Sequence, residues 1–143
     1  TPMPTARAYA GAAEIMGRIY VMGGWDGEKA LDVNESYAPS RDIGGEGAWQ
    51  VESELLEASY DFGMISLLDV IYLVGGINNG VSVNGAYYLN QTWSVLEFPV
   101  SYATRAVGLG TEIFVLLEQE RGKNISTAIR FPVLYNFYLP IIR

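Results

Sequence analysis

The carboxylates are the side chains with the widest scope for chemistry. Asp26, Glu28 and Asp32 bracket one loop, Glu52, Glu54 and Glu57 form an acidic stretch, and Glu118 and Glu120 fall in a third loop. Paired carboxylates can hydrolyse glycosides, and clustered oxygen ligands can hold calcium. Neither chemistry has its diagnostic spacing here. Asp26-Gly27-Glu28 is a common turn composition, not a calcium loop. The sequence has no histidine and no cysteine. A Ser-His-Asp triad is therefore impossible within it, and zinc lacks its usual nitrogen and sulfur ligands. Gly23-Gly24 and Gly44-Gly45-Glu46-Gly47 lack both the Lys-Ser/Thr ending and the strand-to-helix setting of a phosphate loop. These residues point to solvated turns, a non-catalytic chain, no metal and no cofactor.

A binding face is the positive alternative. Trp25 follows Gly24 in an expected loop. A large exposed aromatic is costly unless it is packed or used in recognition. Asp26 adjoins it. Ile77 and Asn78 take the matching place further along, as do Gln119 and Glu120 later still. With Arg41, the set Trp25, Asp26, Asn78 and Gln119 forms a candidate ligand-binding rim. An aromatic platform beside carboxylates suits a sugar, and a dry rim suits a protein. The structural alternative is that Trp25 simply packs on the next unit.

Bulk properties narrow the partners. Half of the 143 residues are hydrophobic, which is ample for a core. The net charge of -7 argues against nucleic acid, which needs clustered Lys and Arg, and against anionic membrane surfaces. No signal peptide or transmembrane run is legible. The sequence opens Thr1-Pro2-Met3-Pro4; a removed leader and a longer parent chain both remain open. Three glycosylation triplets begin at Asn34, Asn90 and Asn124. Such triplets arise easily by chance and carry little weight.

The elements that must position these residues are repeated. Ile19-Tyr20-Val21-Met22-Gly23-Gly24 returns 52 residues on as Ile71-Tyr72-Leu73-Val74-Gly75-Gly76. A third copy, Ile113-Phe114-Val115-Leu116-Leu117-Glu118, has lost both glycines. A period near 50 points to stacked all-β units. Four short strands are expected per unit. They fall at 8–16, 19–23, 31–38 and 48–52, then at 60–68, 70–75, 83–89 and 92–96. The third set falls at 102–109, 113–117, 125–131 and 134–139. Asn78-Asn79-Gly80 is a hairpin signal. The whole of 1–143 reads as one domain, with units at about 4–52, 53–98 and 99–143.

These landmarks resemble the kelch repeat of β-propellers. Unit one offers Arg7, Gly11, Tyr20, Gly23, Gly24, Tyr37 and Trp49; unit two offers Tyr72, Gly75, Gly76, Tyr88 and Trp93. Unit three keeps Arg105, Gly108 and Phe114 but lacks the glycine pair and the tryptophan. The resemblance implies structural roles for these residues, with the arginines lacing neighbouring units. The family's copper oxidases need histidine and a cysteine-linked tyrosine, so that activity does not carry over.

Three units pose a closure problem, because propellers close with four to eight blades. The expected solution is a two-fold homodimer completing a six-bladed ring. The alternatives are a fragment whose other blades lie elsewhere and a non-propeller β assembly. The apolar stretch 131–142 is expected to supply the last strand and touch the partner. The functional expectation is a non-catalytic kelch-like binding or scaffold protein that self-associates to close a propeller. A carbohydrate-binding or carbohydrate-processing module is the alternative.

Overall fold

Two-residue turns set the register of the sheets. In a computed structural model of the chain, which describes residues 1–43, 47–83, 85–89, 91–96, 103–118 and 125–132, three tight turns place both central residues at positive φ. They are Met16-Gly17 (51° and 75°), Leu68-Asp69 (54° and 59°) and Asn79-Gly80 (50° and 79°). Left-handed backbone at both positions matches the twist of antiparallel strands.

The first sheet is an antiparallel meander of β1 (Gly11–Ile15), β2 (Arg18–Met22), β3 (Asn34–Tyr37) and β4 (Trp49–Val51). A single 3-10 turn, Pro39–Arg41, follows β3. The second sheet begins with β5 (Gly63–Leu67) and β6 (Val70–Val74). A separate hairpin, β7 (Ile77–Asn78) and β8 (Val81–Ser82), intervenes. The sheet then resumes with β9 (Gly85–Leu89) and β10 (Thr92–Leu96), in the order β10-β9-β6-β5. The third sheet contains β11 (Ala103–Leu109), β12 (Glu112–Glu118) and β13 (Ile125–Pro132). Among the described residues no helix is long and apolar enough to cross a membrane.

The sheets lie in a row, with β1 against β5 and β5 against β11. Glycine permits the close approach. A Cβ on Gly11 would meet the Phe62 ring at 2.5 Å, and one on Gly63 would meet the Ala106 backbone nitrogen at 2.8 Å. The core lies between the first two sheets. Met22, Leu55, Phe62, Ile71, Leu73 and Tyr88 are buried there, with Tyr20 and Trp93 packed against them. All five residues of β6 are buried, which accounts for its unbroken apolar sequence.

This architecture corrects the expected one. Among the described residues the sheets have four, four, three and two strands, and in none does the last strand pair with the first. Three four-stranded blades, a six-bladed ring and the β-propeller assignment are therefore not realised. The functional expectation of self-association to close such a ring falls with them. Two departures from the expected four-strand units accompany this architecture. The Asn79-Gly80 turn spends four residues on the independent β7–β8 hairpin, and the third sheet has three strands in its described part. The fourth strand expected at 134–139 lies outside the described residues, as does most of the apolar stretch 131–142.

The glycine pairs explain another difference. Gly23 and Gly24 have φ of 58° and 113°, and Gly75 and Gly76 have 70° and 114°. Each pair ends its strand by turning the chain into a conformation that β-branched residues avoid. In the third copy Leu117 and Glu118 stand in their place, and β12 runs through both.

Candidate functional site

A concave site lies where the starts of β1 and β5 meet β11. It is a cleft of about 280 Å³ lined by Tyr9, Asp61, Phe62, Met64 and Arg105, among others. Tyr9 and Asp61 occupy equivalent positions, 52 residues apart. Both have left-handed backbone, with φ of 54° and 55°. Asp61 donates its backbone N–H to the Tyr9 carbonyl at 3.1 Å. A non-glycine residue at positive φ costs roughly 1–2 kcal/mol, so two of them at one seam mark a fixed local geometry.

Aromatic rings back the cleft. Tyr60 lies 6.3 Å from Tyr9 and 5.2 Å from Trp25, centroid to centroid, with tilted planes. Such offsets suit the quadrupoles of the rings. Trp25 is half-buried, and its backbone exchanges hydrogen bonds with Ala8 at 2.8 and 2.9 Å. Tyr9 is 66% exposed, so its ring remains accessible. The Arg105 guanidinium stands 3.7 Å from the Asp61 carboxylate, an exposed and loose ion pair.

Arg7 behaves differently from Arg105. Its side chain is fully buried and pairs with Glu35 at 2.8 Å. It also donates to the Thr5 and Val21 carbonyls, while the Thr5 hydroxyl donates to the other Glu35 oxygen at 2.6 Å. The group straps the leading segment across β2 and β3.

The expected rim is only partly assembled. Trp25 and Asp26 lie at the end of the first sheet that also carries Tyr9. Asp26 accepts the backbone N–H groups of Glu28 and Lys29, each at 2.8 Å. Those bonds hold its carboxyl below the usual range. Asn78 is half-buried in β7. Arg41 follows β3, whose pairing with β2 puts it beside the Met16-Gly17 turn, at the opposite end from Trp25. Gln119 lies outside the described residues. Among the described residues no group of His, Cys, Asp or Glu is placed to hold a metal ion.

The expected repeat residues pack within and between sheets. Tyr37 stacks near Trp49 at 5.1 Å, Tyr88 near Trp93 at 4.8 Å, and Tyr20 near Tyr88 at 5.9 Å. Burial pushes the Tyr20 and Tyr88 hydroxyls up from their ordinary range. Tyr72 is buried in β6 and Phe114 is half-buried in β12. Asn34 is buried, with its amide donating to the Ser53 carbonyl at 3.0 Å; its glycosylation triplet is therefore inaccessible in the folded chain.

Tyr9 and Asp61 are the cleft residues that sequence reasoning missed. The offset that aligns the two glycine pairs also aligns these two, but left-handed backbone at a tyrosine has no sequence signature.

With this geometry in place, the chain can be compared with known protein families. Residues 6–53 match the family model described as the Kelch motif. That span contains Arg7, Tyr20, Gly23, Gly24, Tyr37 and Trp49, and covers the first sheet. No curated protein matches the chain.

Proposed function

We propose that this chain is a non-catalytic recognition module of kelch type, and that the Tyr9–Asp61–Arg105 cleft binds a neutral, hydroxyl-rich ligand such as a saccharide. The observation that carries the reading is an exposed tyrosine ring beside a loose carboxylate–guanidinium pair. A hydroxyl both donates and accepts, so it can bond to Asp61 and Arg105 together without leaving either charge unpaired. The Tyr9 face offers apolar area to the C–H side of a sugar ring. Buried apolar surface with a few placed polar groups is the usual composition of a ligand site. Among the described residues the cleft lining holds one carboxylate, Asp61, where glycoside hydrolysis ordinarily uses two.

A glycan array with the wild type, Tyr9→Asn and Asp61→Asn tests this. Asparagine tolerates left-handed backbone, so both variants keep the local fold. The expected result is a bound glycan class whose signal falls about tenfold in each variant, the size of one lost contact of about 1.4 kcal/mol. An array on which the wild type binds nothing would overturn the reading.

A further inference from the structure

The end of the row opposite the cleft carries a second repeated feature. There β1, β5 and β11 each reach a tight turn, and a large apolar side chain is exposed in the turn or, on β11, at the strand end before it. Met16 is 80% exposed, Leu68 47% and Leu109 70%. The three strands run in one direction and lie side by side. Gly11 approaches Phe62 and Met64, Gly63 approaches Arg105 and Ala106, and Gly108 approaches Ile65 and Leu67. Their tips therefore form one line, which Val107, 59% exposed on β11, extends.

Local physics disfavours these residues where they stand. Met16 and Leu68 hold φ of 51° and 54° in turns that prefer Asn, Asp or Gly. Water disfavours them as well. The same double penalty recurs at equivalent positions, so turn formation is not what placed them there. A conformational outlier that is also an exposed apolar group points to recognition.

Each tip also carries a carboxylate: Glu14 two residues before Met16, Asp69 directly after Leu68, and Glu112 three residues after Leu109. Glu14 and Asp69 are exposed, and Glu112 is half-buried. The Glu14 carboxylate accepts the Gly17 N–H at 2.6 Å, which holds it at the turn. Arg18 and Arg41 are the basic residues on the first-sheet side of this end. Arg18 is directed to Ser36, Gln50 and Glu52, and Arg41 lies beyond β3.

We propose that these three tips form an apolar ridge rimmed with acid, and that it docks a basic segment of a partner protein through apolar anchors. The apolar side chains supply the buried contact, and the carboxylates select Lys or Arg between the anchors. The net charge of -7 favours encounter with such a segment. The proposal is independent of the saccharide reading, because the two surfaces lie at opposite ends of β1 and β5.

The test is selection of a random peptide phage library on the wild-type chain, followed by fluorescence anisotropy with the enriched peptides. Three variants are compared: Met16→Asn with Leu68→Asn, Asp69→Asn with Glu112→Gln, and Tyr9→Asn. Asparagine suits both turn positions, so thermal unfolding should show the first variant to be no less stable than the wild type. The expected result is enrichment of peptides that mix Lys or Arg with apolar anchors. Binding should weaken at least tenfold in the first variant and lose much of its salt dependence in the second, while Tyr9→Asn leaves it unchanged. Peptides that bind the apolar-tip variant as tightly as the wild type would overturn the proposal, as would enrichment of acidic peptides. A homodimer that light scattering finds in the wild type but not in the apolar-tip variant would also overturn it, by assigning the ridge to a second copy.

Discussion

Arg7 and Arg105 hold corresponding places in the repeat pattern and meet opposite fates. Arg7 is sealed against Glu35 with no exposed side-chain surface, while Arg105 is 70% exposed and 3.7 Å from Asp61. The contrast extends to the seams around them. Between the first two sheets Ser53 acts as a junction. Its carbonyl accepts from Asn34 of the first sheet and from Trp93 of the second, at 3.0 and 3.1 Å. At the start of β5, where β1 and β11 flank it, the strand contacts instead leave a cleft. Burial, more than residue type, decides whether an arginine–carboxylate pair is a sealed strap or an open, solvent-exposed pair.

Breaking each pair should expose the difference most clearly. Arg7→Ala leaves Glu35 buried and uncompensated, at a cost of about 3–5 kcal/mol. Arg105→Ala removes an exposed pair and should cost less than about 1 kcal/mol. Urea unfolding of both variants measures this. Equal losses would mean that the two pairs are equivalent after all.

The glycines give the next largest effect. At Gly23 a Cβ would meet the Ser59 carbonyl oxygen at 2.5 Å, and φ is 58°. Gly23→Ala therefore adds overpacking to backbone strain, about 2–4 kcal/mol together. At Gly17, φ is 75° but nothing lies within 4 Å of the added atom. Gly17→Ala should cost only the strain, about 1 kcal/mol. Thermal unfolding of the two variants separates the closed seam from the open tip.

Much of this organisation was legible in sequence. The Ile-Tyr-x-x-Gly-Gly hexamers locate β2 and β6 because apolar runs and left-handed glycines are both local properties. Asn79-Gly80 announces its hairpin for the same reason. The fate of the assembly was not legible. Closure depends on how inner strands seat against one another, and no local pattern records that. Arg41 shows the limit well. It is expected on one rim with Trp25, yet the antiparallel return of β3 carries the chain to the far end of the sheet. Tyr9 and Asp61 carry no residue-type signature, because what sets them apart is left-handed backbone at non-glycine residues.

Tryptophan tests the Ser53 junction on a smaller scale. Trp93→Phe keeps a ring near Tyr88 but removes the indole donor to Ser53. The expected cost is about 1 kcal/mol. Trp49→Phe loses a bond to the Thr1 carbonyl at 3.1 Å, in the leading segment rather than between sheets. Chemical denaturation should rank Trp93→Phe as the more damaging. The reverse order would move the stabilising link from the seam to the first sheet alone.

Asp26 completes the comparison with a carboxylate that is stabilised without a buried cation. Its Oδ1 accepts the Lys29 and Glu28 N–H groups, and these bonds lower its pKa, with the Lys29 bond the larger cause. A folded-state pKa below the unfolded value gives a contribution that is fully present above the unfolded pKa, about 4. It shrinks as pH falls past that value and vanishes once pH has passed through the lower folded pKa. The effect belongs to an exposed loop, so it should be local. The amide shifts of Glu28 and Lys29 should move together in an acid titration, with a midpoint below the usual aspartate range. In Asp26→Asn that movement should disappear, because the amide oxygen accepts without titrating. A midpoint at or above the ordinary aspartate value would show that backbone donors do not hold Asp26 ionised.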